Sequence, residues 1–350
     1  MKTTAFLPRT PSTPAAAMIV ELPDGGEIFN KDTIGGIVSE WERIAQVSSD
    51  KTAFGLLFSN VSTFDADVAP IIRKFIRRFQ VKHLGIASSS PDAARRILSA
   101  VCPYMNLEAF TLTGTTPSEV EISLPLALRR TTTSVTALHF KSVAVAFSTL
   151  EEWASMMGTS VNPPVKWLSI RDLTLQDGGR VDNKTMHRML ARIVGRMSSL
   201  TSFEFEPSTN SNDPAANGFE YFSKALSSLP SIKVLTFSGL DCGNKRYLEM
   251  LFGSRSKLRK SLEELSLLSC EVDRAVVDKL ISPRPYVRLR EINVSGNPSL
   301  ERSDLAALKK MYLKVIGDNF ESSEDDDDGS SEASSTESYD DYAWYNSQLP

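Results

Sequence analysis

The stretch Leu262-Glu-Glu-Leu265-Ser-Leu267, followed at the ninth place by Cys270, decides the fold of this chain. It has apolar residues at places one, four and six. Because places four and six are two residues apart, their side chains point to one face of a short strand. The side chains at places three, five and seven then point to the other face.

The same pattern occurs nine times in the chain. The middle residues are Leu56, Leu84, Phe110, Leu138, Leu168, Phe203, Leu235, Leu265 and Ile292. Their spacings are 28, 26, 28, 30, 35, 32, 30 and 27 residues. Helical periodicity separates the units at 70–79, 91–98, 144–157, 183–197, 218–228, 245–252, 272–281 and 302–315. No unit can bury its apolar face alone, so the sequence predicts that successive units stack.

This pattern resembles the leucine-rich repeat family, in its long-repeat, ribonuclease-inhibitor-like branch, over about residues 50–315. The resemblance implies an α/β solenoid, a horseshoe with parallel strands on the concave face and helices on the convex face. The family usually has Asn or Cys at place nine, which here only Cys270 and Asn297 match. The alternative is an ordinary α/β domain. The regular spacings and the lack of a glycine-rich phosphate loop after the first strand argue against it.

The sequence divides into four parts. We expect a disordered leader at 1–17, for which a transit peptide is the alternative, and an N-terminal cap at 18–50. Within the cap, residues 18–29 alternate around Asp24-Gly25-Gly26, which predicts a hairpin. The solenoid of about nine units spans 51–316 and ends in a cap helix from about Ser303 to Ile316. An acidic, Ser-rich tail occupies 317–350.

Composition and cysteine spacing predict the cellular compartment of the protein. The chain has no apolar run of about 18 residues, which predicts no membrane span, and no apolar segment at its start, which argues against a secretory signal. Its three cysteines, Cys102, Cys242 and Cys270, show no C-x-x-C spacing. They are typical of reduced thiols in a cytosolic or nuclear protein.

The tail is strongly acidic. Residues 321–350 contain ten acidic residues and no Lys or Arg, and since the whole chain carries −4, the first 320 residues carry +6. Such a segment is predicted to be disordered. Its end suits docking as a short linear motif through Tyr339, Tyr342, Trp344 and Tyr345. A solubilising tail with chance aromatics is the alternative.

Two regulatory hypotheses concern this tail. Ser322, Ser323 and Ser338 each precede an acidic residue by three places, which makes them candidate phosphorylation sites. The opposite charges of tail and body also suggest that the tail folds back and masks Lys141 and Arg171 until a partner or phosphorylation displaces it.

The face at places three, five and seven carries the candidate binding residues. It presents a basic and aromatic patch of His139, Lys141, Trp167 and Arg171, followed by an acidic half with Glu204, Glu206, Glu264 and Glu291. An exposed Trp flanked by Arg is typical of an interaction hot spot. Alternatively, Trp167 packs on a neighbouring side chain and the charges are merely solvated. We predict partner binding by the basic patch together with Glu204 and Glu206.

The function predicted is a non-catalytic, monomeric protein-interaction scaffold without metal or cofactor. No nucleophile motif is present, and His83, His139 and His187 show no metal-ligand spacing. One alternative is a small-GTPase regulator, since the layout is similar to that of Ran GTPase-activating proteins. Another is the substrate receptor of a ubiquitin ligase, although residues 1–50 lack a convincing F-box-like bundle. Nucleic acid is not expected, because the acidic tail offsets the +6 of the body and the cations cluster only at Arg73-Lys74 and Arg77-Arg78.

Overall fold

The computed structural model describes residues 3–5, 18–21, 28–30, 34–36, 38–39, 42–43, 54–87, 89–104, 107–114, 135–159, 165–175, 183–208, 218–281 and 288–318. All of them belong to one compact unit, residues 1–319. The candidate docking motif and phosphorylation sites of the tail lie outside the described residues.

The described strands form one large mixed sheet and one small sheet. In chain order they are β1 Thr3–Ala5, β2 Met18–Glu21, β3 Ile28–Phe29, β4 Phe54–Ser59, β5 Thr63–Phe64, β6 His83–Ala87, β7 Ala109–Thr113, β8 Ala137–Val145, β9 Trp167–Leu175, β10 Ser202–Pro207, β11 Val234–Ser238, β12 Glu264–Leu268, β13 Glu291–Asn293 and β14 Lys314–Ile316. The large sheet has the order β1-β2-β4-β6-β7-β8-β9-β10-β11-β12-β13-β14, and β3 pairs with β5. Every pairing is parallel except that of β1 with β2.

Helices connect the strands, as the sequence predicts. They are α1 Ala69–Phe79, α2 Pro91–Val101, α3 Phe147–Thr159, α4 Asn183–Val194, α5 Phe219–Ser227, α6 Lys245–Phe252, α7 Leu258–Ser261, α8 Arg274–Leu280 and α9 Arg302–Met311. Short 3-10 turns precede α1 and follow α2, at Ala66–Val68 and Cys102–Tyr104. Of these helices, α7 is the one without a sequence prediction, because a single turn is too short to show a period.

The register of the sheet confirms the repeat pattern. Leu56 lies opposite Leu84, and the pairing continues from strand to strand through each predicted middle residue to Ile292. The row extends beyond the nine units, to Val20 at one end and Val315 at the other. The predicted mixed α/β architecture of stacked strand and helix units is therefore present. The horseshoe curvature and the ribonuclease-inhibitor-like branch remain predictions.

The core lies between this sheet and the helices. All nine middle residues are at most 2% exposed. Aromatic side chains lock the central helices to the strands: the ring of Phe222 on α5 lies 5.4 Å from Phe203 and 4.5 Å from Phe205 on β10. Trp153 on α3 lies 5.4 Å from Phe140 on β8. These contacts fix the sheet, and so they also fix the positions of the side chains on its opposite face.

A left-handed residue occupies place eight in most units. Place eight has a positive φ in seven units, at Asn60, Gly114, Ser142, Asp172, Gly239, Ser269 and Gly296. In five of these units it comes after the strand, whereas Ser142 and Asp172 lie within β8 and β9. Asn, Asp and Gly tolerate this conformation. In the sixth unit place eight is Pro207, whose ring fixes φ near −65°. The pairing of β10 with β9 shifts register between Glu206 and Pro207.

The ninth place ties neighbouring units together. Asn297 Oδ1 accepts from the backbone N–H groups of Cys270 and Val272 at 2.8 and 2.9 Å. Its Nδ2 donates to Leu267 and to two carbonyls of its own turn. Ser89 Oγ accepts from Val61 N–H at 3.2 Å and lies near two carbonyls.

A serine thus makes the same kind of bridge as Asn297, which the sequence did not predict. Elsewhere buried apolar residues fill the ninth place: Val61, Val143, Leu173 and Leu240.

Two predictions at the ends are wrong. Strands β2 and β3 do not form a hairpin with each other, because β2 pairs with β4 in one sheet and β3 with β5 in the other. Within the predicted leader, residues 3–5 form β1 and pair with β2 at the sheet edge, while the disorder of the other leader residues stays a prediction. The last helix ends at Met311, since Tyr312 is extended and the following residues form β14. Strand pairing at both edges outweighs the local patterns.

Candidate binding surface on the sheet

The surface of interest is the sheet face opposite the helices, here called the opposite face. Strand alternation places there the third, fifth and seventh residues of each unit, as predicted. Its exposure changes along the sheet. From β4 to β7 its side chains are mostly buried, whereas from β10 to β13 most are partly exposed. Solvent therefore reaches this face chiefly in its second half.

Small residues give the first half an apolar character. Leu57 and Ala87 form a buried cluster, and Leu57 is 4% exposed. Gly85 makes this packing possible, since a Cβ at that position would lie 2.5 Å from Leu57 Cδ1. Leu57 can thus lie across the neighbouring strand. This part of the face offers little polar surface to a partner.

Trp167 is not the exposed anchor that the sequence predicted. It is 8% exposed, and its ring stacks on that of His139 with the centroids 5.7 Å apart and the planes 7° apart. The predicted exposure is wrong because the two side chains lie diagonally on β8 and β9 and cover each other. The alternative reading, in which Trp167 packs on a neighbouring side chain, is confirmed.

The charge state of His139 follows from this burial. His139 is 5% exposed. Desolvation, reinforced by the positive charges of Arg171 and Lys141, lowers its pKa from 6.5 to about 3. His139 is therefore neutral at physiological pH, and the predicted basic patch owes its charge to Lys141 and Arg171 alone.

Arg171 is held by an ion pair with the next strand. Its Nε donates to Glu204 Oε1 at 2.9 Å, and its Nη2 makes a second bond to the same oxygen. Ser169 Oγ donates to Glu204 Oε2 at 2.7 Å. The structure thus brings the predicted residues Arg171 and Glu204 together, and it adds Ser169, which the sequence did not single out. The register of the sequence repeats gave a hint, because Ser169 and Glu204 both occupy place five in neighbouring units.

Two predicted charges flank this pair. Burial lowers the pKa of Lys141, and Arg171 adds to the effect. Burial raises the pKa of Glu206. Both side chains are partly exposed, and they point to the same face from β8 and β10. Partial desolvation in the free protein means that a partner would have less water to remove from these groups.

The acidic half of the face continues over β12 and β13. Glu264 lies opposite Glu291 in register. Burial, with the neighbouring charge of Glu291, raises the pKa of Glu264. Lys314 pairs with Glu291 at 3.0 Å. Between the charged residues lie the partly exposed hydroxyl and amide groups of Thr236, Ser266 and Asn293.

The described residues show no metal-binding group. Within them, no three His, Cys, Asp or Glu side chains are close enough to hold a metal ion. His187 lies on α4 against Phe205, on the other side of the sheet from His139. A cavity of about 410 Å³ near Asn297 and Leu305 has Asp318 as the one titratable group among its described lining residues.

Comparisons with known proteins add little. No protein-family profile matches the chain. No curated protein matches it either. Among solved structures, an internalin from Listeria monocytogenes is similar over 83% of this chain and 63% of its own, at 12% identity and a TM-score of 0.37. The match thus spans less than two thirds of the internalin, and it establishes neither family nor function.

The helices carry no sign of a membrane span. Of those in the described part of the chain, none combines the length and apolar character needed to cross a bilayer.

Proposed function

We propose that the chain is a non-catalytic protein-interaction scaffold that receives a protein partner on the opposite face, between Lys141 and Glu291. One observation supports this most directly. The helix-covered face of β10 to β13 is fully buried, while the other face of the same strands carries partly exposed charges and hydroxyl groups. A rigid sheet presents these groups at fixed spacings, as a recognition surface requires.

The charges indicate the partner's complementary surface. Lys141 and Arg171 form a positive end, while Glu206 and Glu264 form a negative end. Arg171 is held in place by Glu204, so its orientation costs little entropy on binding. A complementary partner presents acidic groups toward β8 and β9 and basic groups toward β12. His139 and Trp167 support this surface from within and are not contact residues in this proposal.

The proposal also keeps two predicted features. The units curve so that the opposite face is concave, and the acidic tail with Tyr339, Tyr342, Trp344 and Tyr345 serves as a second contact. Charge supports the second feature, because the tail carries ten acidic residues and no basic ones.

A charge exchange tests the proposed face. The Lys141→Glu/Glu206→Lys variant keeps the net charge and reverses the local pattern. Its matched control, Glu151→Lys/Lys184→Glu, makes the same exchange at exposed positions on α3 and α4. Partners captured by the unmodified chain are purified and titrated against all forms, including one that lacks 321–350. We expect at least a roughly tenfold loss of affinity for the face variant alone.

Two outcomes would contradict the proposal. Unchanged affinity of the face variant would remove the opposite face from the contact. Loss of binding only on deletion of 321–350 would make the tail the binding element.

A further inference from the structure

The positive charge of the body is concentrated in one segment. Residues 69–104 contain seven Lys or Arg and one acidic residue, Asp92, a net charge of +6. Residues 1–320 as a whole also carry +6, so the rest of the body is neutral overall. The segment comprises α1, β6, α2 and the turn that ends at Tyr104.

Packing places α1 beside the end of α2 and fixes two arginines of α1. Arg73 on α1 donates from Nε to the carbonyl of Ala100 on α2 at 2.8 Å. The guanidinium groups of Arg73 and Arg77 lie 4.3 and 5.1 Å from the ring centroid of Tyr104. Two arginines are thus held in place against an aromatic ring that is itself 39% exposed.

Most cations of the two helices face solvent. Lys74, Arg77, Arg95 and Arg96 are exposed, while the apolar residues of both helices face the sheet. Residues 74, 77 and 78 are three and four apart, so they lie on the same side of α1. Arg78 also pairs with Glu42 at 2.9 Å. The surface, here called the arginine surface, consists of Arg73, Lys74, Arg77, Arg78, Arg95, Arg96 and Tyr104.

We propose that the arginine surface binds nucleic acid through its phosphate backbone, without sequence preference. This goes beyond the proposed protein scaffold and uses a different surface. Guanidinium groups bind phosphate oxygens in pairs, and a preorganised guanidinium loses less freedom on binding. The sequence prediction against nucleic acid rested on the acidic tail and on a cation cluster limited to α1, whereas the fold adds the cations of α2 and an aromatic ring.

Other anionic partners fit the surface less well. Nucleic-acid interfaces are much more positively charged than protein interfaces, and this one has a single acidic residue in its segment. A membrane-binding helix pair normally inserts apolar side chains. Tyr104 is the one exposed large apolar side chain that the described residues offer here. Because the whole chain carries −4, attraction to a polyanion must come from this local surface.

Binding of the full chain to labelled oligonucleotides tests the proposal. The probes are a single-stranded RNA and a DNA duplex of about 20 nucleotides per strand, measured by fluorescence anisotropy. The test variant is Lys74→Gln/Arg95→Gln/Arg96→Gln. The control, Lys184→Gln/Arg188→Gln/Arg192→Gln, removes the same charge from exposed positions on α4. Circular dichroism checks that both variants are folded.

We expect the unmodified chain to bind either probe, with affinity falling steeply between about 50 and 200 mM salt. The test variant should bind roughly tenfold or more weakly, and its salt slope should be lower by about 2 to 3. The control should stay within about twofold of the unmodified chain, because α4 lies elsewhere.

Three results would overturn the proposal. The first is no binding at about 50 mM salt. The second is an equal loss in both variants, which would indicate a net-charge effect. The third is binding to vesicles with anionic lipid or to a Glu-rich peptide without binding to either oligonucleotide.

Discussion

At the scale of single residues, the ninth place shows how different side chains solve one problem. The turn after each strand leaves backbone groups that helices and strands do not pair. Asn297 satisfies five of them, Ser89 bridges fewer, and Val61 and Leu240 fill the space with carbon. Turn hydrogen bonding is therefore concentrated in particular units.

Replacing Asn297 by Ala should destabilise the protein by about 3 kcal/mol, because it leaves the buried N–H groups of Cys270 and Val272 without an acceptor. Urea unfolding measures this loss. The control is Asn293→Ala, whose side chain bonds, among the described residues, to Ser295 in its own turn, so its loss should cost less than about 1 kcal/mol. Equal losses of unfolding free energy in the two variants would show that the hydrogen bonds between units add no more stability than those within one turn.

His139 should make stability depend on pH. Its pKa is lowered to about 3 by burial and by Arg171 and Lys141, so the folded protein excludes a proton that the unfolded chain binds below about 6.5. Stability is therefore lost as pH falls, by about 2 kcal/mol between pH 7 and pH 5. His139→Gln should remove that part of the loss in urea unfolding.

His83→Gln provides the comparison. Burial also lowers the pKa of His83, but this side chain is less buried than His139. Its replacement should remove a smaller part of the pH dependence. If His139→Gln lost as much stability between pH 7 and pH 5 as the unmodified chain, the buried neutral histidine would not be the cause.

At the scale of elements, the nine repeat strands could be predicted from the sequence. The strand pairings at the two edges of the large sheet could not. Nine strands follow from an apolar pattern that each unit carries within itself. The pairings of β1, β2 and β14 depend on which neighbour offers a free edge, and a local pattern contains no such information. Place eight did contain usable information: Asn60, Gly114 and Asp172 are suited to left-handed backbone, and Pro207 marks the unit in which the strand pairing shifts register.

For the candidate binding surface, the sequence predicted which residues share a face of the sheet but not how exposed they are. Alternation along β8 and β9 correctly placed Lys141 and Arg171 on one face with Glu204. It could not give the exposure of Trp167, because exposure depends on the side chain beside it, and here His139 covers the ring. Register therefore follows from sequence more readily than accessibility does.

Replacing Gly85 by Val should cost about 2 kcal/mol, because the new Cβ would meet Leu57 on the neighbouring strand. Leu57→Ala in the same chain should recover part of that cost. A double-mutant cycle in urea should give a coupling above about 1 kcal/mol. Additive effects would mean that the two strands do not meet at this point.

At the scale of the whole molecule, each strand depends on its two neighbours. Stability in such arrays is approximately a sum of unit terms and neighbour terms. Strands β9 and β10 have several units on both sides, whereas β14 ends the sheet.

Hydrogen exchange measured by mass spectrometry should therefore show the slowest amides in β9 and β10, with β13 and β14 exchanging roughly tenfold or more faster. Control measurements on chemically unfolded protein give the intrinsic rates. Uniform protection across the sheet would show a single cooperative unit in place of a graded array.

The unbroken row of middle residues also has an evolutionary consequence. The spacing between these residues varies from 26 to 35, yet the row keeps its register across the sheet. Duplication or loss of one entire unit would therefore leave the side chains of all remaining units on the same face of the sheet as before. The charges at either end of the proposed binding surface can be moved apart or together by gene rearrangement, without any change in the residues that carry them.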